Sequence, residues 1–281
     1  MDEVSKDTNE NMTPVNSVNK EDCKVALKNG PIHDFNYRER VVAFLDILGF
    51  KQKVNESSSS QETTVRICSA LNFLTYDYKQ YNSFCSSTEA FVKSGRRVTA
   101  FSDSIIISYP KNEETMIFLV LDVMLLQAHL ADLGFMLRGG IALGQVFHSG
   151  NIAFGPALIR AYELESKAAI YPRVILEKKY LQEYSYDLQY LNPGLYSIHP
   201  NLNDIDHLVH LVREDHDSLF YVDFLLVCGQ GTINKLLALC EEMLSSTDEP
   251  SEIGKINWLK NYIHRHERRT IKNQDMLQKG L

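Results

Sequence analysis

The run VVAFLDILGF at residues 41–50 constrains the fold more than any other part of this sequence. It is almost continuously β-branched, aliphatic or aromatic, which is the pattern of a strand covered on both faces. One carboxylate, Asp46, interrupts it. Burial of an unpaired carboxylate is costly or forces its protonation, so we expect a cationic group to meet Asp46.

Length and charge limit the classes of protein that can contain such a strand. The chain has 281 residues, of which 44% are hydrophobic, and this predicts one folded domain with additions. Its 29 Lys and Arg residues against 36 Asp and Glu residues give a net charge of −7. That charge excludes a surface that is basic throughout and binds nucleic acid, so an acidic ligand must be held locally. The polar residues 1–35 are predicted to form a mobile tail.

A second interrupted run predicts a hairpin. The segment VTAFSDSIIISYP at 98–110 is broken at Ser102-Asp103 and closed by Pro110, the pattern of two short strands joined by a tight turn. We expect Asp103 at the tip. A strand end beside such a hairpin can bring Asp46 and Asp103 to one rim, where two carboxylates would suit Mg²⁺ or Mn²⁺. Taken singly, each aspartate is equally consistent with a carboxylate that caps a turn.

Helices are predicted between these strands. A long apolar helix is expected at 113–133, and another is opened by Pro156. Two further strands, at 208–212 and 219–227, and two amphipathic helices follow. A helix after the serine run is predicted from apolar residues three positions apart, at Val65, Cys68, Leu71 and Leu74. The core order is therefore strand, helix, hairpin, helix, strand, helix.

Four motifs in this order, over roughly residues 40–166, resemble the catalytic domain of class III nucleotidyl cyclases. DILGF at 46–50 matches that family's first metal motif, and FSDSIII at 101–107 stands where the family carries its second metal aspartate at a hairpin tip. LRGGIALGQVFHSG at 137–150 resembles its R-x-G-I-x-x-G strand pair. FGPALIRAYELES at 154–166 resembles its glycine and following helix, which ends in a Leu/Met-Glu-Ser triplet.

The resemblance implies a fold, a partner and a chemistry. The expected fold is α+β, a ferredoxin-like βαββαβ core with a C-terminal strand and helix extension. The core would form a head-to-tail homodimer with active sites at the interface. Asp46, Asp103 and the carbonyl of Ile47 would bind two Mg²⁺ or Mn²⁺ ions, which would activate the ribose 3′-hydroxyl and hold the triphosphate as pyrophosphate leaves. Phe50 of the first motif and Arg138 of the strand pair would contact the nucleotide.

The chain departs from the family at the positions that select the base. Adenylyl and guanylyl cyclases carry Lys or Glu four residues before the second metal aspartate, and Asp or Cys three residues before the glycine of the last motif. Here these residues are Thr99 and Ile152, which do not give the hydrogen-bond pattern used for adenine or guanine. The family's transition-state Asn and Arg align with Ile159 and Glu163. Arg160, one turn before Glu163, could supply the missing positive charge.

Two interpretations fit these departures. Retained metal ligands with lost purine selectors resemble the bacterial Pycsar pyrimidine cyclases. That resemblance implies conversion of UTP to 3′,5′-cyclic UMP and pyrophosphate in antiphage defence, with the product read by a separate effector. A hydroxyl such as that of Thr99 can serve uracil or cytosine, so conversion of CTP to cyclic CMP is the alternative. The other interpretation is a catalytically degenerate cyclase-like module that binds a ligand or dimerises.

The sequence also predicts the location of the protein, the bounds of its domains and the exposure of three basic residues. The polar first residues lack the apolar segment of a signal peptide, so we expect a cytoplasmic protein with no membrane or nucleic-acid partner. The cyclase domain is expected at 36–180 and an α/β extension at 181–281. His148 is predicted to lie on the surface, and Arg96 and Arg97 are predicted to be solvated.

Overall fold

The computed structural model describes residues 36–75, 95–187 and 211–278, so the predicted tail at 1–35 lies outside it. The strands are β1 (Arg38–Leu48), β2 (Arg97–Phe101), β3 (Ser104–Pro110), β4 (Met136–Ser149), β5 (Ile152–Phe154), β6 (Val174–Leu176), β7 (Val212–Glu214) and β8 (Phe220–Val222). The helices are α1 (Phe50–Ser57), α2 (Gln61–Thr75), α3 (Glu113–Asp132), α4 (Pro156–Glu163), α5 (Lys178–Asp187), α6 (Gln230–Ser246) and α7 (Pro250–Gln278).

One sheet organises these elements. Its strand order is β2-β3-β1-β4-β6-β8-β7, with β5 paired to the end of β4. β1 lies antiparallel between β3 and β4, and β2 is antiparallel to β3. The chain order β1, helices, β2, β3, α3, β4 in this arrangement is the ferredoxin-like βαββαβ core, which confirms the predicted α+β fold. β6 continues the sheet in parallel to β4, and β8 and β7 extend it further.

Alternation along β1 separates two cores. Val42 packs against Ala157 and Ala161 of α4. The intervening side chains are buried in the main core together with α3, and they are Val41, Ala43, Leu45 and Ile47. Because successive side chains of a strand point to opposite faces, α3 lies on one face of the sheet and α4 on the other. The prediction of a strand covered on both faces is confirmed.

The apolar helix α3 is a core helix. The stretch Thr115–Asp132 is long and apolar enough to cross a membrane by length and composition, but 78% of it is buried within the protein. Its buried carboxylate, Asp122, accepts hydrogen bonds from Arg96 Nε at 2.7 Å and from the Tyr109 hydroxyl at 2.9 Å. The prediction that Arg96 is solvated is therefore wrong, because its guanidinium compensates a buried charge. Arg97 is exposed.

Helix α2 forms where the sequence predicts a helix but presents a different face. Val65 is 56% exposed and Cys68 is exposed, whereas Ala70 is fully buried. Ile67 and Leu71 pack against the main core. A spacing of three residues drifts around a helix that has 3.6 residues per turn, so the inner face follows positions three and four apart instead.

The C-terminal strands are shorter than predicted. β7 covers Val212–Glu214, and most of the strand predicted at 208–212 lies outside the described residues. The strand predicted at 219–227 is divided, because β8 ends at Val222 and a 3₁₀ turn occupies Phe224–Val227. Asp223, at the junction, is completely buried.

Buried charges attach helix α7 to this part of the sheet. Arg173, which is almost fully buried, forms an ion pair with Asp215. The indole Nε1 of Trp258 donates to Asp215 at 2.6 Å. The Tyr262 hydroxyl donates to Asp223 at 2.5 Å. Each carboxylate therefore has donors from the helix, which is the condition under which a buried charge is tolerated.

Glycines in β4 let α4 approach the sheet closely. A Cβ at Gly140 would lie 2.4 Å from the carbonyl oxygen of Ala161 and 2.5 Å from Cβ of Leu164. Both atoms belong to the helical segment above the strand, so neither can swing away as the end of a long side chain would. An added methyl group must displace the helix.

We expect Gly140→Ala to lower the free energy of unfolding by about 1–3 kcal/mol, because it overpacks the contact between β4 and α4. Gly254→Ala is the matched control, since a Cβ there meets no atom within 4 Å and lies inside α7. It should be neutral or raise the free energy of unfolding by about 1 kcal/mol through helix propensity. Urea unfolding measures both, and equal midpoints for the two variants would contradict the packing.

Candidate functional site

The two predicted metal carboxylates meet at one end of the sheet. In the register of the strands, Asp46 lies opposite Ser104 of β3 and Arg138 of β4. The main-chain amide of Ile47 donates to the carbonyl oxygen of Asp103 at 3.1 Å. This bond fastens the tip of the β2-β3 hairpin to the end of β1, so the strand carries Asp46 beside Asp103.

The turns around this pair use left-handed backbone. Gly49, at φ 72°, separates β1 from α1, and glycine adopts this conformation without a steric penalty. Ser102, at φ 57°, forms the hairpin turn just before Asp103. A residue with a side chain in this region costs about 1–3 kcal/mol, and such strain concentrates at functional sites.

Asp46 lies next to a cationic side chain, as expected, but that side chain, Arg138, also contacts a second carboxylate, Glu165. The Nε of Arg138 lies 3.3 Å from Oδ2 of Asp46 and 2.7 Å from Oε1 of Glu165. Burial raises the pKa of Asp46, the charge of Arg138 opposes this, and the neighbouring Asp103 adds to the rise. Burial also raises the pKa of Glu165 against the same arginine. Glu165 is absent from the predicted site, and its only signal in the sequence is the Leu-Glu-Ser triplet of the fourth motif.

The oxygen donors at this end of the sheet suit a hard divalent cation. Mg²⁺ and Mn²⁺ prefer carboxylate and carbonyl oxygens, water and phosphate. Across the described ranges, no group of three or more His, Cys, Asp and Glu side chains is placed to hold a metal ion. Asp46 and Asp103 would therefore need ligands from the substrate and from the main chain. The side chain of Ile47 is buried in the main core, which leaves only its carbonyl for this role.

Two of the predicted nucleotide contacts, Phe50 and Ile152, differ in how accessible they are. Phe50 is buried in the main core at the start of α1, so its ring is a core residue and is not presented to a ligand. Ile152 begins β5 and is 45% exposed. The structure therefore leaves the Ile152 side chain accessible and the Phe50 side chain in the core, and a contact between Phe50 and the nucleotide stays a prediction.

Arg160 lies far from the carboxylates of its own chain. Its Nε donates to Oε1 of Glu177 at 2.7 Å, and its Nη2 donates to the carbonyl oxygen of Leu143 at 2.6 Å. The guanidinium lies directly over Gly144, where a Cβ would be 3.0 Å from Nη2. Gly144 is six residues from Arg138 along β4, about 20 Å at about 3.3 Å per residue. One chain therefore does not bring Arg160 to Asp46.

The other two positions aligned with transition-state residues point outward. Ile159 is 61% exposed. Glu163 is also exposed and binds Lys167 one turn later, with Nζ and Oε1 2.7 Å apart. These side chains are available to a second molecule rather than to the site beside Asp46.

A hydrogen-bond chain crosses the sheet on the face that carries Asp46. Arg40 Nε donates to Ser108 Oγ at 2.9 Å, and Ser108 Oγ lies 2.7 Å from Nδ1 of His148. Nε2 of His148 lies 3.0 Å from Oγ1 of Thr99, which donates to the carbonyl oxygen of Gly150 at 3.0 Å. His148 is only 7% exposed. The prediction that it is a surface residue is wrong, because the polar chain satisfies both of its ring nitrogens.

The two ends of this chain fix where its protons lie. The carbonyl oxygen of Gly150 can only accept, so Thr99 gives it the single hydroxyl proton. His148 must then donate from Nε2 to Thr99 and accept at Nδ1 from Ser108. Burial, together with the charge of Arg40, lowers the pKa of His148 to about 4, so the ring is neutral at pH 7. Thr99 therefore offers a ligand a lone pair and no proton, which corrects the expectation that its hydroxyl can serve in either sense.

No protein-family model matches this chain, and no curated protein matches it. Among solved structures, it is similar to a bacterial light-regulated adenylyl cyclase at 16% identity and a TM-score of 0.32, over 52% of this chain and 45% of that chain. It is also similar to an adenylate/guanylate cyclase/hydrolase from Silicibacter pomeroyi at 17% identity and a TM-score of 0.34, over 54% of this chain and 83% of that chain. The chain thus spans less than half the length of the first. Both likenesses are distant, and the fold assignment rests on the strand order itself.

The neutral state of His148 predicts that acid lowers the stability of the fold. Histidine in the unfolded chain titrates near 6.5 and the folded value is about 4, so the unfolded state binds the proton first as the pH falls between them. The free energy of unfolding should therefore fall by about 3 kcal/mol between pH 7 and pH 4 on account of this residue. His148→Gln should remove that component, whereas His264→Gln, at an exposed position, should keep it. Urea unfolding across this pH range measures the slopes, and parallel profiles for wild type and His148→Gln would contradict the assignment.

Proposed function

We propose that this chain is a metal-dependent pyrimidine nucleotide cyclase that converts UTP to 3′,5′-cyclic UMP and pyrophosphate. The observation that carries the proposal is the pair Asp46 and Asp103, joined through the 3.1 Å hydrogen bond from the Ile47 amide. The proposed setting is the cytoplasm, where the product would act as a second messenger in antiphage defence and be read by a separate effector.

The proposed reaction forms one bond and breaks one bond at the α-phosphorus. The ribose 3′-oxygen attacks, the 3′-hydroxyl loses its proton, and the bond to the bridging oxygen of the departing pyrophosphate breaks. Divalent cations, when bound, acidify the 3′-hydroxyl and neutralise the triphosphate. Asp46 and Asp103 would hold those cations, so a chain with a net charge of −7 can still accept a polyanion at this one place.

Thr99 and Ile152 support a pyrimidine without separating uracil from cytosine. The lysine that adenylyl cyclases carry at the first position can only donate, and the hydroxyl of Thr99 has no free proton with which to replace it. A lone pair is complementary to N3–H of uracil and equally to the 4-amino group of cytosine, so Thr99 does not separate UTP from CTP, and UTP is proposed on the resemblance to the pyrimidine cyclases. Ile152 adds apolar surface without a hydrogen bond, which leaves the purine-selecting pattern incomplete.

A second copy of the chain is the proposed partner. Large apolar side chains are exposed on β2, β5 and α4, and they are Phe101, Ile152, Phe154, Ile159 and Tyr162. Where such side chains form one patch, exposed apolar surface is typical of an interaction site. Head-to-tail pairing would bring α4 of one copy to the carboxylates of the other, which supports a site shared between two chains.

One observation favours a second candidate function. Arg160, the proposed replacement for the transition-state arginine, is held by Glu177 and by the carbonyl of Leu143. An arginine already engaged in this way contributes less charge to a substrate. A cyclase-like module that binds a nucleotide or dimerises without turnover is therefore the alternative, and the two candidates differ in whether product forms.

Incubation of the purified chain with each ribonucleoside triphosphate and Mn²⁺ tests the activity. We expect cyclic UMP from UTP in excess over every other product, and its loss by at least about 10³-fold in Asp46→Asn, which keeps the shape of the side chain but not its charge. Chromatography of the products measures both. Product mainly from CTP would replace uracil by cytosine, product only from ATP or GTP would refute the base assignment, and bound nucleotide without product would favour the module.

Mixing two inactive variants tests whether the site is shared. If Asp46 and Arg160 act in the same site from different copies, Asp46→Asn and Arg160→Ala each abolish turnover. An equal mixture makes half of the dimers mixed, and each mixed dimer holds one intact site. Turnover should therefore return to about a quarter of the wild-type rate after the copies exchange. No recovery, with dimers confirmed by sedimentation, would place both residues in one chain's site or remove Arg160 from it.

A further inference from the structure

Glu165 is a buried carboxylate beside the metal pair that the reaction above does not use. It is 3% exposed, and its Oε1 lies 2.7 Å from Nε of Arg138. Within the described residues, that oxygen makes no hydrogen bond. The Nε–H of Arg138 is directed at Oδ2 of Asp46 across a longer distance of 3.3 Å. One guanidinium therefore lies between two carboxylates, nearer to the one that it does not hydrogen-bond.

The position of Glu165 is built into the fold. The chain leaves α4 through one π-helical turn, Leu164–Ala168, closed by a bond of 2.8 Å from the amide of Ala169 to the carbonyl of Leu164. A π turn inserts an extra residue and rotates the following side chains, and such turns often occur at functional sites. Here Glu165 is turned inward while Ser166 is exposed.

Gly140 of β4 lies beneath this turn, and because it has no side chain the turn can approach the strand closely. A Cβ at Gly140 would lie 2.5 Å from Cβ of Leu164 and 3.2 Å from the amide nitrogen of Glu165. Gly140 follows Arg138 by two residues on the same face of β4, so the close approach that this glycine permits also sets Glu165 against the guanidinium.

We propose that Glu165 is a positioning residue that retains Arg138 and so leaves the Asp46 carboxylate free to bind a divalent cation. The proposal rests on the proposed function in that Asp46 is a metal ligand. An arginine that closed fully onto Asp46 would occupy the carboxylate oxygens with its own charge and compete with the metal ion. The negative charge of Glu165 attracts the guanidinium of Arg138 away from Asp46.

This role differs from two simpler ones. If Glu165 were itself a metal ligand, its loss would weaken metal binding whether or not Arg138 is present. If it only stabilised the fold, its loss would lower the free energy of unfolding without a selective effect on the metal. A positioning role makes the effect depend on Arg138.

The test is Mn²⁺ binding by the full chain, followed at one fixed pH through the electron paramagnetic resonance signal of the free ion. We expect Glu165→Gln to raise the dissociation constant by roughly 10- to 100-fold, the usual cost of losing a group that orients a metal ligand. The double variant Glu165→Gln/Arg138→Gln should bind at least as tightly as wild type, since the competing charge is gone. Glu241→Gln is the control and should bind as wild type, because Glu241 is an exposed residue of α6 that pairs with Lys260 of α7.

Arg138→Gln alone keeps the proposal testable if Glu165→Gln does not fold, because it should bind Mn²⁺ more tightly than wild type. Unchanged binding by Glu165→Gln, no recovery in the double variant, or no Mn²⁺ binding by wild type would each overturn the proposal. Assaying cyclic UMP in the same samples separates it from the proposed function. The Glu165 effect without product would refute the cyclase alone, and product with unchanged binding by Glu165→Gln would refute the positioning role alone.

Discussion

The hydrogen-bonded position of β1 between β3 and β4 is the constraint on which the rest of the structure depends. Its register sets Asp46 opposite Ser104 and Arg138, and the Ile47 amide then reaches the hairpin tip at Asp103. Because side chains alternate along a strand, a shift of one residue would turn Asp46 into the main core beneath α3. The burial of Val41, Ala43, Leu45 and Ile47 opposes that shift, so the hydrophobic pattern of the strand also fixes the place of its carboxylate.

Buried carboxylates in this chain are of two kinds. Asp122 and Asp215 each have several donors, and although burial opposes it, hydrogen bonds from His216 and Trp258 hold the pKa of Asp215 below its ordinary value. Asp46 instead shares one arginine with Glu165, and burial raises its pKa. Incomplete compensation of this kind at one end of a sheet is typical of a functional site, whereas complete compensation is typical of structural ion pairs.

One face of the sheet packs into the hydrophobic core, and the other face carries the proposed site. The face beneath α3 is apolar and continuous with the main core. The face beneath α4 carries Asp46 and the polar chain from Arg40 to Gly150. The separation of Arg160 from Asp46 along β4 follows from the length of that strand and from the place where α4 crosses it. This is why the proposed site needs a second copy.

The sequence by itself determined the α+β class, the hairpin with Asp103 at its tip and the need for a cation at Asp46, because these follow from local patterns and from the cost of burying a charge. Only the tertiary structure decided which face of α2 is inside, that Arg96 pairs with the buried Asp122, that His148 is buried, and that Glu165 shares Arg138. These depend on contacts between residues distant in the chain, for which spacing gives no signal. The proton of Thr99 is the clearest case, since its direction is set by Gly150, 51 residues away.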